Sequence, residues 1–191
     1  MPAFDKTADF DYNGRMSKFL IASDIHGSAE YCRQLLQAFE KESAEKLLLL
    51  GDILYHGPRN PLPAGYAPKE VAEMLGGIKE KIICVRGNCD SEVDQMVLPF
   101  PITSDYAAVY ADGLTMYLSH GHREVPPMLK GDIYLTGHTH VPVIEDCGYL
   151  HLNPGSISLP KENSAHGYIL YENKTFYFKT LDGKVLNKRT V

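Results

Sequence analysis

Short, uninterrupted apolar runs mark the first half of the chain. They occupy residues 19–22, 46–50 and 81–85, the last two beginning with a lysine, and each is too short for a helix. None shows the alternation of polar and apolar positions that a half-exposed strand requires. Runs of this kind are typical of strands buried on both faces of a parallel sheet.

Helical spacing follows the first of these strands and reappears before the third. Ser28 is expected to be the N-cap of a helix whose apolar positions recur with the helical period, namely Tyr31, Leu35, Leu36 and Phe39. A second helix is predicted to begin at Pro68 and to end at Gly76 and Gly77. Residues 53–68 are too rich in proline and glycine for regular structure, and loops of this length are usually functional or disordered.

The second half of the chain reads as a series of short strands separated by turn signals such as Asp-Gly and Glu-Asn-Lys. These strands are predicted over residues 106–110, 114–119, 133–136, 141–145, 149–152, 168–171 and 175–180. Together with the βα units of the first half, they predict an α/β protein built as a sandwich of two mixed sheets flanked by helices. Residues 17–191 form a single domain in this interpretation.

Residues 1–16 are polar and without periodicity, and they end immediately before the first strand. They are interpreted as an N-terminal tail, either a native extension or a cloning remnant.

Composition narrows the classes of protein that fit. The chain has 191 residues and a formal net charge of −5, and it has no run of lysine or arginine, which argues against stable, non-specific nucleic-acid binding. Its four cysteines form no Cys-x-x-Cys pair and read as reduced thiols. Without a secretory signal or a membrane-length apolar run, the expected location is the cytoplasm and no membrane is involved.

Metal-binding side chains follow several of the predicted strands. Asp52 comes just past a buried strand, where open α/β folds bind ligands, and is the expected hub. The other clusters at strand ends are Asp24 with His26, Asn88, His120 with His122, and His138 with His140. In extended backbone, side chains two apart face the same way, so Asp24 and His26 are expected to converge.

This set of ligands favours two metal ions over one. Taken singly, each of these residues also has an ordinary structural interpretation: an aspartate can cap a helix, a histidine can hydrogen-bond in the core, and Asn88 can be a turn residue. Jointly, imidazole, carboxylate and amide groups suit Mn²⁺, Fe²⁺ or Zn²⁺, and their number suits two ions roughly 3.5–4 Å apart that share one carboxylate.

The order of these motifs resembles that of the calcineurin-like metallophosphoesterases. The matching segments are Asp24-Ile25-His26, Gly51-Asp52, Gly87-Asn88, His120-Gly121 and Gly137-His138-Thr139-His140. The resemblance runs from residue 18 to about residue 180, and longer segments are similar to the small bacterial phosphodiesterases of that superfamily, among them SDIHGS, GDILYHGPRN, RGNCDSEVDQM, GHTHVPV and NPGSIS. It implies a four-layer α/β/β/α sandwich, hydrolysis of phosphodiesters, and Mn²⁺ as the usual activator, with Zn²⁺, Fe²⁺ or Ni²⁺ as alternatives.

The resemblance also implies a role for each ligand. One ion would be held by Asp24, His26 and His140, the other by Asn88, His120 and His138, with Asp52 bridging the two. The expected reaction is in-line attack on phosphorus by a hydroxide that bridges the two ions.

Cys89 departs from the family pattern. Many members have Gly-Asn-His-Asp/Glu, whose histidine is the proposed acid for the leaving group, and here that position is Cys89. A thiol with an ordinary pKa near about 8.5 is a poor substitute for an imidazolium at neutral pH. His122 is the nearest alternative in sequence; metal-bound water, or no protein acid at all, are the others.

The substrate side of the site is less determined. His56 and Arg59 lie in the loop after Asp52, and they are expected either to contact a phosphate oxygen or to be solvated loop residues. The predicted partner is a small phosphodiester, and the resemblance makes a homodimer or homotetramer plausible.

Rival functions of the same fold are a protein-interaction scaffold without general esterase activity, as in the retromer coat, and a DNA exonuclease. Intact ligand positions favour an enzyme over the scaffold, and the absence of added domains and basic surface disfavours the exonuclease. Phosphoprotein phosphatases carry Gly-Asp-x-x-Asp-Arg-Gly, which differs from residues 51–57 here.

Overall fold

Residues 17–191 are described by a computed structural model, so the interpretation of residues 1–16 as a tail lies outside the described residues. The strands are β1 Lys18–Ala22, β2 Lys46–Leu49, β3 Ile82–Cys84, β4 Tyr106–Ala111, β5 Leu114–Ser119, β6 Ile133–Leu135, β7 Pro142–Asp146, β8 Leu150–Pro154, β9 Gly167–Glu172, β10 Thr175–Thr180 and β11 Val185–Thr190. The helices are α1 Ala29–Glu42, α2 Pro68–Gly76 and α3 Glu92–Val97, with a 3₁₀ turn at Lys79–Lys81.

The strands form two mixed sheets, as the sequence predicted. The first has six strands in the order β11-β10-β9-β1-β2-β3, in which β1, β2 and β3 are parallel and the rest antiparallel. The second has five strands in the order β4-β5-β6-β8-β7, with β5, β6 and β8 parallel. Each sheet therefore contains three adjacent parallel strands, on one side of the first sheet and in the centre of the second, whose carboxyl ends release loops in one direction.

Strand β2 shows why the second apolar run, residues 46–50, has no polar alternation. Leu47 and Leu49 point to the helices and pack in one core with Leu35 of α1. Leu48 points the other way, into the core between the two sheets, where it shares a cluster with Leu118. Because both faces of β2 are covered, every position on it past Lys46 is buried.

The two long helices lie where the sequence predicted them. Helix α1 begins after Ser28, whose hydroxyl accepts the backbone N–H of Tyr31, and α2 begins at Pro68 and ends at Gly76. Both pack against the outer face of the six-stranded sheet. Across residues 17–191, no helix combines the length and the apolar character that crossing a membrane requires.

The outer face of the five-stranded sheet is contacted by an irregular segment of the chain. Alternate β4 residues pack between the sheets, which leaves Tyr106 and Tyr110 on the outer face. There the Tyr106 hydroxyl donates to the carbonyl of Glu124, in the irregular segment 120–132. The predicted α/β architecture of two mixed sheets is confirmed.

Two elements were not predicted from the sequence, for the same physical reason. Strand β11 is exposed at every position, and α3 buries none of its residues and leaves Val93 and Met96 in solvent. An element without a buried face has no hydrophobic period to read. Helix α3 does carry a capping box, in which Ser91 and Asp94 bond each other's backbone N–H groups.

Truncation of the inter-sheet core at β2 should destabilise the fold. Leu48 is fully buried, so Leu48→Ala should lower the free energy of unfolding by about 2–5 kcal/mol, as other large-to-small core substitutions do. Urea unfolding of residues 17–191 measures it. The matched control Val185→Ala, on exposed β11, should stay within about 0.5 kcal/mol of wild type. A loss below about 1 kcal/mol for Leu48→Ala would contradict two-face burial of this strand.

Candidate metal centre

The predicted ligands meet at one edge of the sandwich, where loops leave the parallel strands of both sheets. Backbone hydrogen bonds tie neighbouring loops together: Asp24 N–H donates to the Gly51 carbonyl at 3.1 Å, and Gly137 N–H donates to the His120 carbonyl at 3.0 Å. A third bond crosses between the sheets, from His138 N–H to Asp24 Oδ2 at 3.0 Å. The loops therefore form one connected platform.

One group of side chains converges on Asp24. Its Oδ1 atom lies 3.4 Å from His26 Nε2 and 3.3 Å from His140 Nε2. The two imidazole Nε2 atoms are 3.2 Å apart, and all three side chains are almost fully buried. Their ligand atoms lie within 4.8 Å of one another, close enough to share one ion.

A second group converges on His120. Its Nε2 atom lies 3.4 Å from Asp52 Oδ2 and 3.1 Å from Asn88 Oδ1. The ring of His138 is next to it, with the ring centroids 5.1 Å apart. Asp52 Oδ2 is also 3.6 Å from His26 Nε2, so Asp52 lies between the two groups.

The three most buried histidines have the same tautomer imposed on them. The Nδ1 atoms of His26, His120 and His140 contact the backbone carbonyls of Tyr55, Leu50 and Leu159 at 2.8, 2.6 and 2.7 Å respectively. A carbonyl only accepts, so each Nδ1 carries the proton and donates. Each Nε2 atom is thereby directed towards the carboxylates and becomes a metal-binding lone pair once the ring is neutral, which is how proteins orient metal-binding histidines.

These atoms fit a divalent cation. Asp24 Oδ1 is buried and has no hydrogen-bond partner among residues 17–191, a costly state for a carboxylate oxygen. The Nε2 atoms of His26 and His140 point at the space beside this oxygen and lie 3.2 Å apart. A cation would satisfy both, and the mixed nitrogen and oxygen donors suit a first-row divalent metal.

Left-handed backbone aims the ligands. Positive φ angles of 60°, 50°, 57°, 69° and 63° occur at Asp24, His26, Asp52, His138 and His140. Non-glycine residues rarely adopt this region, and such residues cluster at functional sites. The expectation that extended backbone aligns Asp24 and His26 was therefore wrong: β1 ends at Ala22, and two left-handed residues turn the side chains inward.

Glycines allow the loops to approach one another this closely. A Cβ on Gly87 would lie 2.1 Å from Asp52 Oδ1, and a Cβ on Gly137 would lie 1.8 Å from Ser23 Oγ and 2.8 Å from Asp24 Oδ2. Only glycine fits at either place without moving a ligand-bearing loop.

Asp90 is a supporting residue that sequence reasoning missed. Its buried carboxylate accepts backbone N–H groups from Asp52, Ile53 and Gly87 at 2.8, 2.8 and 2.7 Å. Burial raises the pKa of Asp90 to about 6 although these donors oppose the shift. The carboxylate joins the loops after β2 and β3. In the sequence, the only local indication of this role was the position of Asp90 two residues after Asn88.

Two serines hold the opposite side of the site. The hydroxyls of Ser156 and Ser158 both donate to the Asp24 carbonyl, at 2.8 and 2.9 Å. They fix the left-handed turn that presents the Asp24 carboxylate.

Comparison with known proteins identifies the family. The model of the calcineurin-like phosphoesterase superfamily domain matches residues 17–175, which is most of the chain. The chain belongs to this superfamily.

Relatives and solved structures agree with the assignment. The chain is 47% identical over 163 residues to phosphodiesterase YfcE of Escherichia coli, covering 83% of this chain and 89% of YfcE. The structure of YfcE, a phosphoesterase from E. coli, superposes with a TM-score of 0.88 at 42% identity, covering 91% of this chain and 98% of the other. The zinc complex of Vps29 from Entamoeba histolytica shares the fold alone, with a TM-score of 0.61 at 21% identity over 91% and 98% of the two chains.

A cleft of about 510 Å³ opens above the ligands of this phosphoesterase. Arg59 lines the cleft, which agrees with the interpretation that it contacts a phosphate oxygen. Lys161, which sequence analysis did not single out, lines the cleft as well. Lys161 is tied to the site because its N–H donates to the His140 carbonyl at 3.1 Å. His56 is placed differently: its ring lies between those of Tyr55 and Tyr66 and does not line the cleft.

The carboxylates shift the protonation of the histidines. Burial alone would lower the pKa of His120, but its hydrogen bond with Asp52 and the negative charges of Asp24 and Asp52 raise it to about 9. Burial likewise opposes the shift at Asp24, where the close imidazoles of His140 and His26 and the positive charge of His120 hold the carboxyl pKa well below its usual range. Without metal, His120 is therefore an imidazolium at pH 7.

Metal binding should release a proton. His120 must be neutral to ligate, so at pH 7 binding of Mn²⁺ should displace about one proton from it, and metal affinity should rise with pH until about pH 9. Calorimetry in buffers of different ionisation enthalpy counts the protons. The variant His120→Asn should release fewer, and proton-neutral binding by the wild type at pH 7 would contradict the assigned state.

A methyl group at Gly137 should weaken the site without disturbing the rest of the fold. Its clash with Ser23 forces the His138 loop outward, so Gly137→Ala should lower affinity for Mn²⁺ by about 10- to 100-fold. Metal titration measures the affinity. Gly76→Ala is the matched control, because its Cβ would meet Pro99 at an ordinary 3.4 Å. Equal affinities of the two variants would refute the close-approach argument.

Proposed function

We propose that this chain is a metal-dependent phosphodiesterase that works with two divalent ions. The observation that carries the proposal is the position of the Asp52 carboxylate between the Asp24/His26/His140 group and the Asn88/His120/His138 group. The identity to a relative named phosphodiesterase over most of both chains supports the diester as substrate.

Two sets of residues would hold the ions. Asp24, His26 and His140 provide one set, Asn88, His120 and His138 the other, with Asp52 shared. The donors are nitrogen and oxygen, for which Mn²⁺ is our first choice and Zn²⁺, Fe²⁺ or Ni²⁺ the alternatives. When bound, the ions would supply an activated water and positive charge that stabilises the phosphorane-like transition state.

The residues of the cleft attract and orient the substrate. The chain carries a net charge of −5, so an anionic phosphate has to be drawn in locally. Arg59 and Lys161, which both line the cleft, provide that attraction. Arg59 also offers a planar fork of donors that matches two phosphate oxygens.

Neither candidate acid is a charged donor at neutral pH. Burial, followed by the charge of Asp52, raises the pKa of the Cys89 thiol to about 12, so it is a weak acid. Burial and the charge of His120 lower the pKa of His122, whose ring centroid is 5.4 Å from that of His120. A site without an imidazolium donor favours leaving groups that depart as stable anions, such as aryl oxides.

The remaining expectations concern the cellular compartment, the binding partner and the oligomeric state. Four free cysteines, one of them exposed, support a reducing compartment, and we propose the cytoplasm. The proposed partner is a small phosphodiester, with no stable nucleic-acid binding, and a homodimer or homotetramer stays a prediction.

The proposal is tested with metal-stripped protein. Added Mn²⁺ should restore hydrolysis of bis-p-nitrophenyl phosphate in preference to p-nitrophenyl phosphate. Loss of the shared ligand in Asp52→Asn should lower kcat/KM by at least about 100-fold. The matched control Asp146→Asn, at an exposed carboxylate on β7, should retain wild-type rates. Failure of Mn²⁺, Zn²⁺, Fe²⁺ and Ni²⁺ alike to support diester turnover would overturn the proposal in favour of a scaffold.

A further inference from the structure

A second concavity adjoins the metal cleft. It is a groove of about 310 Å³ whose walls include Tyr55, Tyr66, Pro68 and Val93. We call it the tyrosine groove. Its size lies at the lower end of the range for small-molecule pockets. Tyr55 is 42% exposed and Val93 69% exposed, so apolar surface faces solvent here without cover from the described part of the chain.

Cys89 joins the groove to the cleft, because its side chain lines both. Its backbone N–H donates to Asp52 Oδ1 at 2.8 Å, and its Sγ lies within 4.8 Å of ligand atoms of His26 and Asp52. The groove therefore begins one side chain away from the shared carboxylate. A phosphate bound above Asp52 would have one of its two ester groups within reach of it.

The groove is built on the same contacts that hold the metal site. The Tyr55 carbonyl accepts the Nδ1 proton of His26 at 2.8 Å, which fixes the backbone of the groove wall relative to the ligands. Three rings continue from there edge to face, with centroids 4.8 Å apart for Tyr55 and His56 and 5.3 Å apart for His56 and Tyr66. The aromatic wall is thus preorganised.

The chemistry of the groove differs from that of the cleft. Arg59 and Lys161 line the cleft, whereas among residues 17–191 no lysine or arginine lines the groove. Its one acidic side chain, Asp94, is engaged by the N–H and hydroxyl of Ser91, both at 2.8 Å. The groove therefore disfavours a second phosphate and favours a neutral, flat, apolar group that stacks on tyrosine.

We propose that the tyrosine groove is a specificity subsite that binds a planar aromatic ester group of the phosphodiester, either an aryl group or a nucleobase. The inference rests on the proposed function, because it places the phosphate at the metal centre. Tyr55 and Val93 are the residues that select such a group, and diesters with small alkyl groups on both sides leave the groove empty.

Phosphonates test the subsite by binding alone. Mn²⁺-loaded protein is titrated with phenylphosphonate and with methylphosphonate, which share the metal-binding group and differ in the ring. Stacking of one ring should make phenylphosphonate bind at least about fivefold tighter. Tyr55→Ala and Val93→Asp should remove that difference while leaving methylphosphonate affinity and metal content unchanged. Tyr55→Phe should behave as wild type, because the ring is retained.

Controls separate this subsite from the proposed function. Tyr110→Ala removes a tyrosine on β4 that is more exposed than Tyr55, and it should leave both affinities unchanged. Adenosine 5′-monophosphate against ribose 5-phosphate then separates a nucleobase site from one that takes only small aryl groups. Equal affinities for the two phosphonates would overturn the subsite alone, provided that bis-p-nitrophenyl phosphate is still hydrolysed. Loss of both diester turnover and methylphosphonate binding would overturn the proposed function and the subsite with it.

Discussion

The structure depends on holding several ionisable groups close together. Asp24 and Asp52 lie within 4 Å of the same His120 nitrogen, and the Nε2 atoms of His26 and His140 face each other with both side chains buried. Burying such groups together is unfavourable unless something compensates. Much of the surrounding loop structure enforces that arrangement: backbone carbonyls accept the Nδ1 protons of three histidines, left-handed turns lie at the candidate ligands, and glycines stand where two loops meet.

Backbone groups take part in each of these supporting hydrogen bonds. Carbonyl groups orient three imidazoles, and the Asp90 carboxylate gathers three N–H groups from two loops. Substitution of the residues that supply only a carbonyl or an N–H leaves these contacts in place. The side chains of the same loops, such as Tyr55 and Arg59, are consequently available to shape the substrate-facing surface without changing the metal ligands.

Local pattern in the sequence predicted most of the strands and both long helices, because each rests on burial that recurs at a fixed spacing. The sequence also predicted that the candidate ligands lie close together, because they follow strands whose carboxyl ends meet at one edge. Strand β2 is apolar on both faces, and polar motifs follow it at once. Prediction failed where the cause lies elsewhere in the chain. The roles of Asp90 and Lys161 arise from contacts with backbone groups of segments distant in sequence. Strand β11 and helix α3 have no buried face, so they leave no hydrophobic period in the sequence from which to predict them.

The candidate ligands come from both sheets: Asp24, His26 and Asp52 follow strands of the six-stranded sheet, and His120, His138 and His140 follow strands of the five-stranded sheet. Ions bound there would hold the two sheets together at this edge, in addition to the apolar core between them. Since a ligand that binds only the folded state stabilises it, the heat tolerance of the protein would follow the metal supply of its surroundings. In surroundings poor in metal, the two sheets would then separate first at this edge. Both the activity of the protein and its resistance to proteases would fall.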